Sequence, residues 1–232
     1  MAKSALIIGA SSGIGLELAR VLSSRGYRLG IAARREHLLK AHAAADPNVV
    51  ACGVLDLKDA QATTRFHEMA RDLGTVDFVF ICSGVGFLNP ELDWSLEEDT
   101  IETNATGFAR LACAAMGIFE KQGHGHLVGL SSVAALRGAG EAPAYGATKA
   151  FVSRYLQALH FRAKKSGGRI RVTDVRPGFV DTAMMKSEKP FWVASPRKAA
   201  EQIVDAAEKG RRIVYVSKRW SLIGWLLRHL PG

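Results

Sequence analysis

The sequence predicts an α/β fold in which a doubly wound, seven-stranded, mostly parallel sheet forms a single domain. Short β-branched apolar runs alternate with longer helical patterns, as right-handed β–α–β connections require. The runs are nearly continuous in apolar residues, which is typical of strands buried on both faces of a parallel sheet. A length of 232 residues, with 48% of them hydrophobic, is enough for one such domain.

Each strand is predicted from one of these apolar runs. In chain order they are Ala5–Ile8, Arg28–Ala33, Val49–Leu55, Val76–Cys82, His126–Leu130, Arg169–Val175 and Arg212–Val216. One helix between them is predicted to open at Ser95, which would cap the first turn while Glu98 bonds back to it. Ser195 followed by Pro196 predicts a second helix start, because proline fits the first helical position.

Composition and patterning exclude several classes of protein. No linker, repeat or low-complexity segment interrupts residues 1–232, so we expect one domain, with 217–230 as an amphipathic C-terminal helix. The net charge of +9 is scattered without a basic stripe interleaved with aromatic residues, so we predict no nucleic-acid binding. No apolar stretch is long enough to predict a membrane span.

The cysteines and the first residues favour a reducing compartment. Cys52, Cys82 and Cys113 are unclustered and lie in apolar sequence, which favours neither a disulfide framework nor a zinc ribbon. The chain runs from its first residues directly into a strand pattern, so we expect no secretory signal peptide and a cytoplasmic protein. His124-Gly-His126 has metal-like spacing but no third ligand nearby, so we predict no metal site.

A glycine-rich turn joins the first strand to the first helix. Gly9 would allow the tight turn, Gly13 would let a phosphate approach the backbone, and Gly15 would let the helix pack on the strand. The backbone N–H groups and the helix N-terminus would then point at one place, where a pyrophosphate fits. The turn therefore predicts a nucleotide site, although a tight structural connection would use glycines in the same way.

The end of the second strand bears on the choice of cofactor. A ribose 2′-OH is usually bound by an acidic residue there, whereas this chain has Ala33 followed by Arg34 and Arg35. The guanidinium of Arg34 can pair with a 2′-phosphate through two hydrogen bonds. We therefore predict NADP(H) in preference to NAD(H); the alternative is that both arginines are solvated in a loop.

Four polar residues are candidates for catalysis. Tyr145 and Lys149 share a face of a predicted helix that runs to about residue 165, so the ammonium is expected to lower the pKa of the phenol. A tyrosine with a lowered pKa can act as an acid or a base near neutral pH. Ser132 ends a strand where parallel sheets bind ligands, and Asn104 lies unusually inside a helical pattern.

Together these residues resemble the short-chain dehydrogenase/reductase family over about residues 4 to 216. The motifs that carry the resemblance are Gly9-Ala-Ser-Ser-Gly-Ile-Gly15, Asp56-Leu57, Ser83-Gly84, Asn104, Ser132, Tyr145-x-x-x-Lys149 and Pro177-Gly-Phe-Val-Asp-Thr182. The resemblance implies a Rossmann-like sheet and assigns the acid–base role to Tyr145. Lys149 would lower its pKa and hold the nicotinamide ribose, Ser132 would orient the carbonyl, and Asn104 would position a water in a proton relay.

The resemblance also implies a set of cofactor-binding residues. Besides Tyr145 and Lys149 they are Gly9, Ser11, Ser12, Gly13, Ile14, Gly15, Arg34, Asp56, Leu57, Ser83, Gly84, Pro177, Gly178, Val180 and Thr182. Two positions depart from the family's pattern. Cys82-Ser83-Gly84 replaces the common Asn-Ala-Gly, and Ser12 stands where many NADP-preferring members have a basic residue.

These observations predict an NADPH-dependent carbonyl reductase, reversible as an alcohol dehydrogenase, that forms a homodimer or homotetramer. The resemblance assigns the substrate lid to residues 183–194, a short segment in this chain. It carries Met184, Met185, Phe191 and Trp192, which favours an apolar substrate. Two alternatives are a non-catalytic NADP-sensing protein on the same fold and a membrane-surface scaffold. The basic, tryptophan-containing segment 218–230 would pack on the protein or make a peripheral membrane contact.

Overall fold

The chain folds around a single seven-stranded sheet with helices on both faces. The computed structural model describes residues 2–185 and 190–229. The strand order is β3-β2-β1-β4-β5-β6-β7, and every neighbouring pair is parallel. The chain winds outwards from β1 in one direction and from β4 in the other. The strand order therefore reverses between β1 and β4, at the topological switch point. Open sheets of this kind bind ligands there, beyond the carboxyl ends of the strands.

All seven predicted strands are present, with small differences at their ends. They are β1 Ser4–Ile8, β2 Arg28–Ala33, β3 Val49–Val54, β4 Phe78–Ile81, β5 Gly125–Leu130, β6 Ile170–Pro177 and β7 Ile213–Val216. β4 is shorter than predicted at both ends. β6 continues two residues further than predicted, because Pro177 pairs with Val216 and the Gly178 N–H donates to the Val216 carbonyl at 2.6 Å.

Eight α-helices are described between and after the strands. They are α1 Gly13–Ser24, α2 Glu36–Ala45, α3 Ala62–Leu73, α4 Trp94–Ile101, α5 Phe108–Gln122, α6 Pro143–Ala163, α7 Pro196–Glu208 and α8 Trp220–His229. A π-helical turn, Glu102–Gly107, joins α4 to α5, and 3₁₀ turns follow β5 at Val133–Leu136 and α6 at Lys164–Ser166.

The N-termini of α4 and α7 can be compared with the two caps that the sequence predicts. Ser195 caps α7 as predicted, since its hydroxyl accepts a hydrogen bond from the Lys198 N–H at 3.2 Å. The predicted Ser95 cap of α4 is wrong: the cap lies two residues earlier, and the Asp93 carboxylate accepts a hydrogen bond from the Ser95 N–H at 2.9 Å. A carboxylate at this position also interacts favourably with the helix dipole, which explains why Asp93 caps the helix.

The sheet separates two apolar layers. Along β1 the side chains alternate, with Ala5 and Ile7 facing the layer that contains α1 and α7 and Leu6 facing the layer that contains α3, α5 and α6. Phe66 and Phe119 are fully buried in the second layer. Burial on both faces confirms the doubly wound parallel sheet that the continuous apolar runs predict.

The C-terminal helix is attached to the domain through its first residue. The Trp220 side chain is only 4% exposed and lies against Gly178, where an added Cβ would come within 2.1 Å of the indole. Leu222 and Leu226 of the same helix are exposed. Within residues 2–185 and 190–229, no helix has the length and apolar character that crossing a bilayer requires. A peripheral membrane contact through 218–230 stays a prediction.

Candidate active site

The glycine-rich turn has the geometry for which its glycines are needed. Gly9 and Gly13 have φ angles of +97° and +56°, a region that glycine enters without steric cost. A Cβ on Gly15 would lie 2.2 Å from the Gly9 carbonyl oxygen, so only glycine lets α1 pack this closely on the turn. The first N–H groups of α1 therefore stand at the carboxyl end of β1, where an anion can be bound.

Two serines of this turn are held by an arginine from the next strand–helix connection. The Arg35 guanidinium donates hydrogen bonds to the Ser11 hydroxyl at 2.9 Å and to the Ser12 hydroxyl at 2.5 Å. Ser12 consequently makes no side-chain cap to α1. Arg34 is exposed and has no side-chain hydrogen bond or ion pair within the part of the chain that the structure describes. The sequence directed attention to Arg34 and missed the contact that Arg35 makes.

The Cys82-Ser83-Gly84 segment, which departs from the common Asn-Ala-Gly pattern, still joins β1 to β4. The N–H groups of Cys82 and Ser83 both donate to the Ile8 carbonyl, at 2.8 and 3.1 Å. Ser83 lies directly over Gly9, where an added Cβ would be 2.7 Å from the Ser83 nitrogen. Burial raises the pKa of the Cys82 thiol to about 12, so it stays neutral. Backbone hydrogen bonds therefore join β1 to β4 at this position.

Asp56 and Leu57 follow β3 at the same edge of the sheet. The Asp56 carboxylate accepts a hydrogen bond from the Lys58 N–H at 3.1 Å, and the Leu57 side chain is buried. Gly107, in the π-helical turn, packs on Leu57, since an added Cβ would lie 2.5 Å from the Leu57 Cβ. This contact holds the Asp56–Leu57 segment, which the resemblance assigns to cofactor binding, at the carboxyl end of β3.

Tyr145, Ser132 and Lys149 come together at the carboxyl end of β5. The Lys149 Nζ lies 5.8 Å from the centroid of the Tyr145 ring and donates a hydrogen bond to the Leu130 carbonyl at 3.0 Å. The Ser132 hydroxyl lies next to the Tyr145 phenol and lowers the pKa of that group. The backbone of Gly86 lies against the Tyr145 ring, because an added Cβ would be 2.8 Å from Cδ2. Sequence reasoning missed Gly86.

The protonation of this group differs from the expectation. Burial raises the pKa of Tyr145 above its ordinary value, and the hydrogen bond from Ser132 only partly opposes this effect. The expectation that Lys149 lowers the pKa of Tyr145 is therefore wrong for this structure, because removal from water disfavours the phenolate more strongly. Burial also lowers the pKa of Lys149 to about 8, although the negative charge of Asp174 raises it.

Asn104 joins the loop after β4 to helix α6. It is buried in the π-helical turn, a rare conformation that is frequent at functional sites. Its Oδ1 accepts from the Val85 N–H at 2.9 Å, and its Nδ2 donates to the Val85 carbonyl at 2.8 Å and to the Thr148 hydroxyl at 3.3 Å. The amide thus has a polar role inside a helix, as the sequence indicates, while the water relay stays a prediction.

The segment after β6 crosses above the glycine-rich turn. Thr182 reaches Gly13, where an added Cβ would lie 3.1 Å from the threonine Cγ2, and Val180 pairs with Ala194 through an isolated bridge. The Pro177–Thr182 motif therefore lies beside the glycine-rich turn, while its contact with a bound cofactor stays a prediction.

An aromatic cluster forms the described part of the predicted lid. The rings of Phe191 and Trp220 stack with their centroids 5.0 Å apart, and Phe179 and Trp192 meet Trp220 edge-on at 5.5 and 6.1 Å. Met184 is exposed, whereas residues 186–189 lie outside the described residues. The described part of the predicted lid is therefore apolar and lies next to Gly178.

The residues at this edge fit a dinucleotide. The turn after β1, the arginine pair after β2 and the Tyr145 group after β5 all lie at the carboxyl ends of the strands. Next to Lys149, an added Cβ on Gly84 would lie 3.3 Å from Nζ and 3.0 Å from the Asn104 Oδ1. The missing side chain at Gly84 leaves space beside the lysine, where a ribose would be held.

The two histidines with metal-like spacing have different neighbours. The His124 ring lies 3.5 Å from the Asp77 carboxylate, whereas His126 bonds to the Thr173 hydroxyl at 2.8 Å. Burial lowers the pKa of His126 to about 3. Among the described residues, no group of three or more His, Cys, Asp or Glu side chains is arranged to hold a metal.

Comparison with known proteins gives a consistent result. The sequence model of the family described as short chain dehydrogenase matches residues 3–191. A 3-oxoacyl-[acyl-carrier-protein] reductase from Bos taurus is 34% identical over 80% of this chain and 79% of its own length.

Two solved structures match almost the whole chain. An alcohol dehydrogenase from Thermococcus sibiricus, complexed with 5-hydroxy-NADP, has a TM-score of 0.79 at 25% identity and covers 93% of this chain and 95% of its own. A short chain dehydrogenase/reductase from Burkholderia phymatum, in complex with NAD, has a TM-score of 0.84 at 20% identity and covers 97% and 92%. At that identity the second match supports the fold alone.

Proposed function

The chain belongs to the short-chain dehydrogenase/reductase family, and from this premise we propose that it is an NADP(H)-dependent carbonyl reductase, reversible as an alcohol dehydrogenase. The observation that carries the proposal is the group formed by Tyr145, Ser132 and Lys149, at the same edge of the sheet as the glycine-rich turn. A phenol, a hydroxyl and an ammonium at one place can bind a carbonyl oxygen and exchange a proton with it.

Each member of the group has a role in this reaction. A bound nicotinamide supplies or accepts the hydride. Tyr145 donates the proton to the carbonyl oxygen during reduction, and Ser132 orients that oxygen by a hydrogen bond. Burial raises the pKa of Tyr145, so the phenol is protonated near neutral pH and can act as the acid in carbonyl reduction.

Lys149 remains mostly cationic near neutral pH, since its pKa is about 8. One of its three N–H groups is used by the Leu130 carbonyl, which leaves two for ribose hydroxyls. Asn104 holds the backbone of Val85 beside this group, so it keeps the loop after β4 in place.

The preference for NADP(H) rests on the arginine pair after β2. Ala33 offers no carboxylate to a ribose 2′-OH, and the exposed Arg34 is free to pair with a 2′-phosphate. Arg35 adds a second positive charge next to the glycine-rich turn, where it is held by Ser11 and Ser12. Both charges favour the more anionic cofactor.

The substrate is proposed to be an apolar carbonyl compound or alcohol. Phe179, Phe191, Trp192 and Trp220 form a nearly continuous aromatic surface beside Gly178, at the end of β6. An apolar molecule would bury its surface against these rings with little loss of hydrogen bonding.

We also propose that the protein is a homodimer that associates through α5 and α6. Among the apolar residues of these helices, Ala112, Ala115, Leu156 and Leu159 are buried in the core. Phe151, in contrast, is 42% exposed and stacks on Tyr155 with ring centroids 5.5 Å apart. A second copy would cover this outer aromatic pair; a homotetramer would need a further contact.

The proposed reaction is tested by Tyr145→Phe, with Tyr155→Phe on the outer face of the same helix as its control. NADPH oxidation is measured against a panel of aldehydes, ketones, steroids and quinones. Tyr145→Phe should bind the cofactor normally and lose turnover by at least about 10²-fold, the usual contribution of acid–base catalysis. Near-normal turnover in this variant would contradict the assignment. No turnover of any substrate by the unmodified protein, despite NADPH binding, would favour the non-catalytic sensor.

A further inference from the structure

A second cavity lies between α6 and the strands β6 and β7, apart from the dinucleotide cleft. Its volume is about 340 Å³, which is within the range of sites for small ligands. Its polar lining consists mainly of Ser153, Arg154, His160, Asp174, Arg176 and Arg212. None of the residues placed in the dinucleotide cleft or in the Tyr145 group lines this cavity.

The lining carries an excess of positive charge. Three guanidinium groups, from Arg154, Arg176 and Arg212, face a single carboxylate, that of Asp174. Burial lowers the pKa of His160, and the positive charge of Arg212 lowers it further, so this histidine is neutral near pH 7. The cavity therefore has two positive charges that no lining group balances.

The Asp174 carboxylate already accepts three hydrogen bonds from buried side chains. Its Oδ2 accepts from the Arg176 Nε and from the Ser153 hydroxyl, both at 2.8 Å, and its Oδ1 accepts from the Ser131 hydroxyl. These buried contacts hold the Arg176 guanidinium at the base of the cavity. The carboxylate forms its one ion pair among the described residues with Arg176, and not with the two outer arginines.

The outer arginines have no anionic partner within the residues that the structure describes. Arg154 donates to the Gln157 side chain at 2.9 Å, and the Arg212 guanidinium lies 5.8 Å from the centroid of the Phe161 ring. Both arginines are exposed, so their guanidinium groups can reorient towards a ligand. A buried cation at the base and two free cations at the rim are an arrangement that favours an oxyanion.

We propose that this cavity binds the dianionic phosphate group of a small phosphate monoester. A phosphate monoester carries close to two negative charges near pH 7, which matches the excess in the lining. Its three terminal oxygens accept hydrogen bonds from several guanidinium N–H groups at once. Leu156 and Ile213 line the same cavity and provide apolar contacts for the organic part.

The test measures phosphate binding by the full chain, with phenyl phosphate and inorganic phosphate as probes. Titration calorimetry gives the affinities, and a proton NMR titration follows the pKa of His160. The test variant is Arg154→Gln with Arg212→Gln; both sites are exposed, so the fold should be kept. Arg28→Gln removes an exposed charge elsewhere, and Arg35→Ala removes the charge at the glycine-rich turn.

Phenyl phosphate should bind saturably, inorganic phosphate should compete with it, and the bound dianion should raise the pKa of His160. The double variant should lose affinity by about 10²-fold, since each charge-assisted contact contributes about tenfold or more. Arg28→Gln should bind as the unmodified protein does, and Arg35→Ala should keep the rise in the pKa of His160, which reports on this cavity alone. Neither readout depends on turnover, so the result is independent of the proposed reaction.

Three results would overturn the proposal. Absence of saturable binding would show that the cavity is not a phosphate site. An equal loss of affinity in Arg28→Gln would indicate a general effect of net charge. A loss confined to Arg35→Ala would place the phosphate at the glycine-rich turn.

Discussion

Replacing Arg34 with alanine should remove most of the preference for NADPH over NADH. The Arg34 guanidinium is exposed and has no partner among the described residues, so pairing with a 2′-phosphate would break no existing contact. A charge-assisted hydrogen bond contributes about 1.5–3 kcal/mol, which corresponds to roughly 10- to 150-fold in affinity. Because Arg34 is exposed, solvent and salt weaken the contact, and we expect a change near the lower limit, about tenfold.

Arg35→Ala is the matched control for this prediction. The Arg35 guanidinium is held by Ser11 and Ser12 at 2.9 and 2.5 Å, so its loss should loosen the phosphate-binding turn and weaken both cofactors. The ratio of the two affinities should therefore change less in Arg35→Ala than in Arg34→Ala. Combining Ala33→Asp with Arg34→Ala should reverse the preference, because the new carboxylate repels a 2′-phosphate and accepts from a 2′-OH.

The assay is titration of each protein with NADPH and NADH, followed by nicotinamide fluorescence at two salt concentrations. The unmodified protein should bind NADPH at least about tenfold more tightly, and added salt should narrow the difference. Equal affinities in the unmodified protein, or an unchanged ratio in Arg34→Ala, would refute the reasoning and leave Arg34 as a solvated loop residue.

Three further predictions follow from the site and the outer helix faces. Lys149→Ala should weaken NADPH binding as well as turnover; unchanged cofactor affinity, measured by the same fluorescence titration, would contradict the ribose-holding role. Asp174→Asn should move the alkaline limb of the kcat/KM pH profile to lower pH, because the Asp174 charge raises the pKa of Lys149, which is about 8. Ser131→Ala keeps the Asp174 charge, so the alkaline limb of its kcat/KM profile should stay at the same pH as in the unmodified protein. An equal shift in both variants would indicate a structural effect. Light scattering at micromolar concentration should give a dimer or tetramer; a 25.0 kDa monomer would contradict association through α5 and α6.

The strands of the sheet can be predicted from the sequence alone, because each strand is a short apolar run and burial on both faces requires that pattern. The sequence also determined the glycine-rich turn, since the positive φ angles at Gly9 and Gly13 depend on local sterics. The proximity of Tyr145 and Lys149 follows from helix geometry alone, and the structure has them 5.8 Å apart, measured from the ring centroid.

Tertiary structure decided how these residues are protonated and which neighbours support them. The pKa of Tyr145 is raised because folding removes the phenol from water, an effect that the spacing to Lys149 does not reveal. Arg35 meets Ser12 across 23 residues, and Asp174 meets Ser131 across 43 residues. Such contacts depend on where the strands end relative to one another, and only the assembled sheet sets that relation.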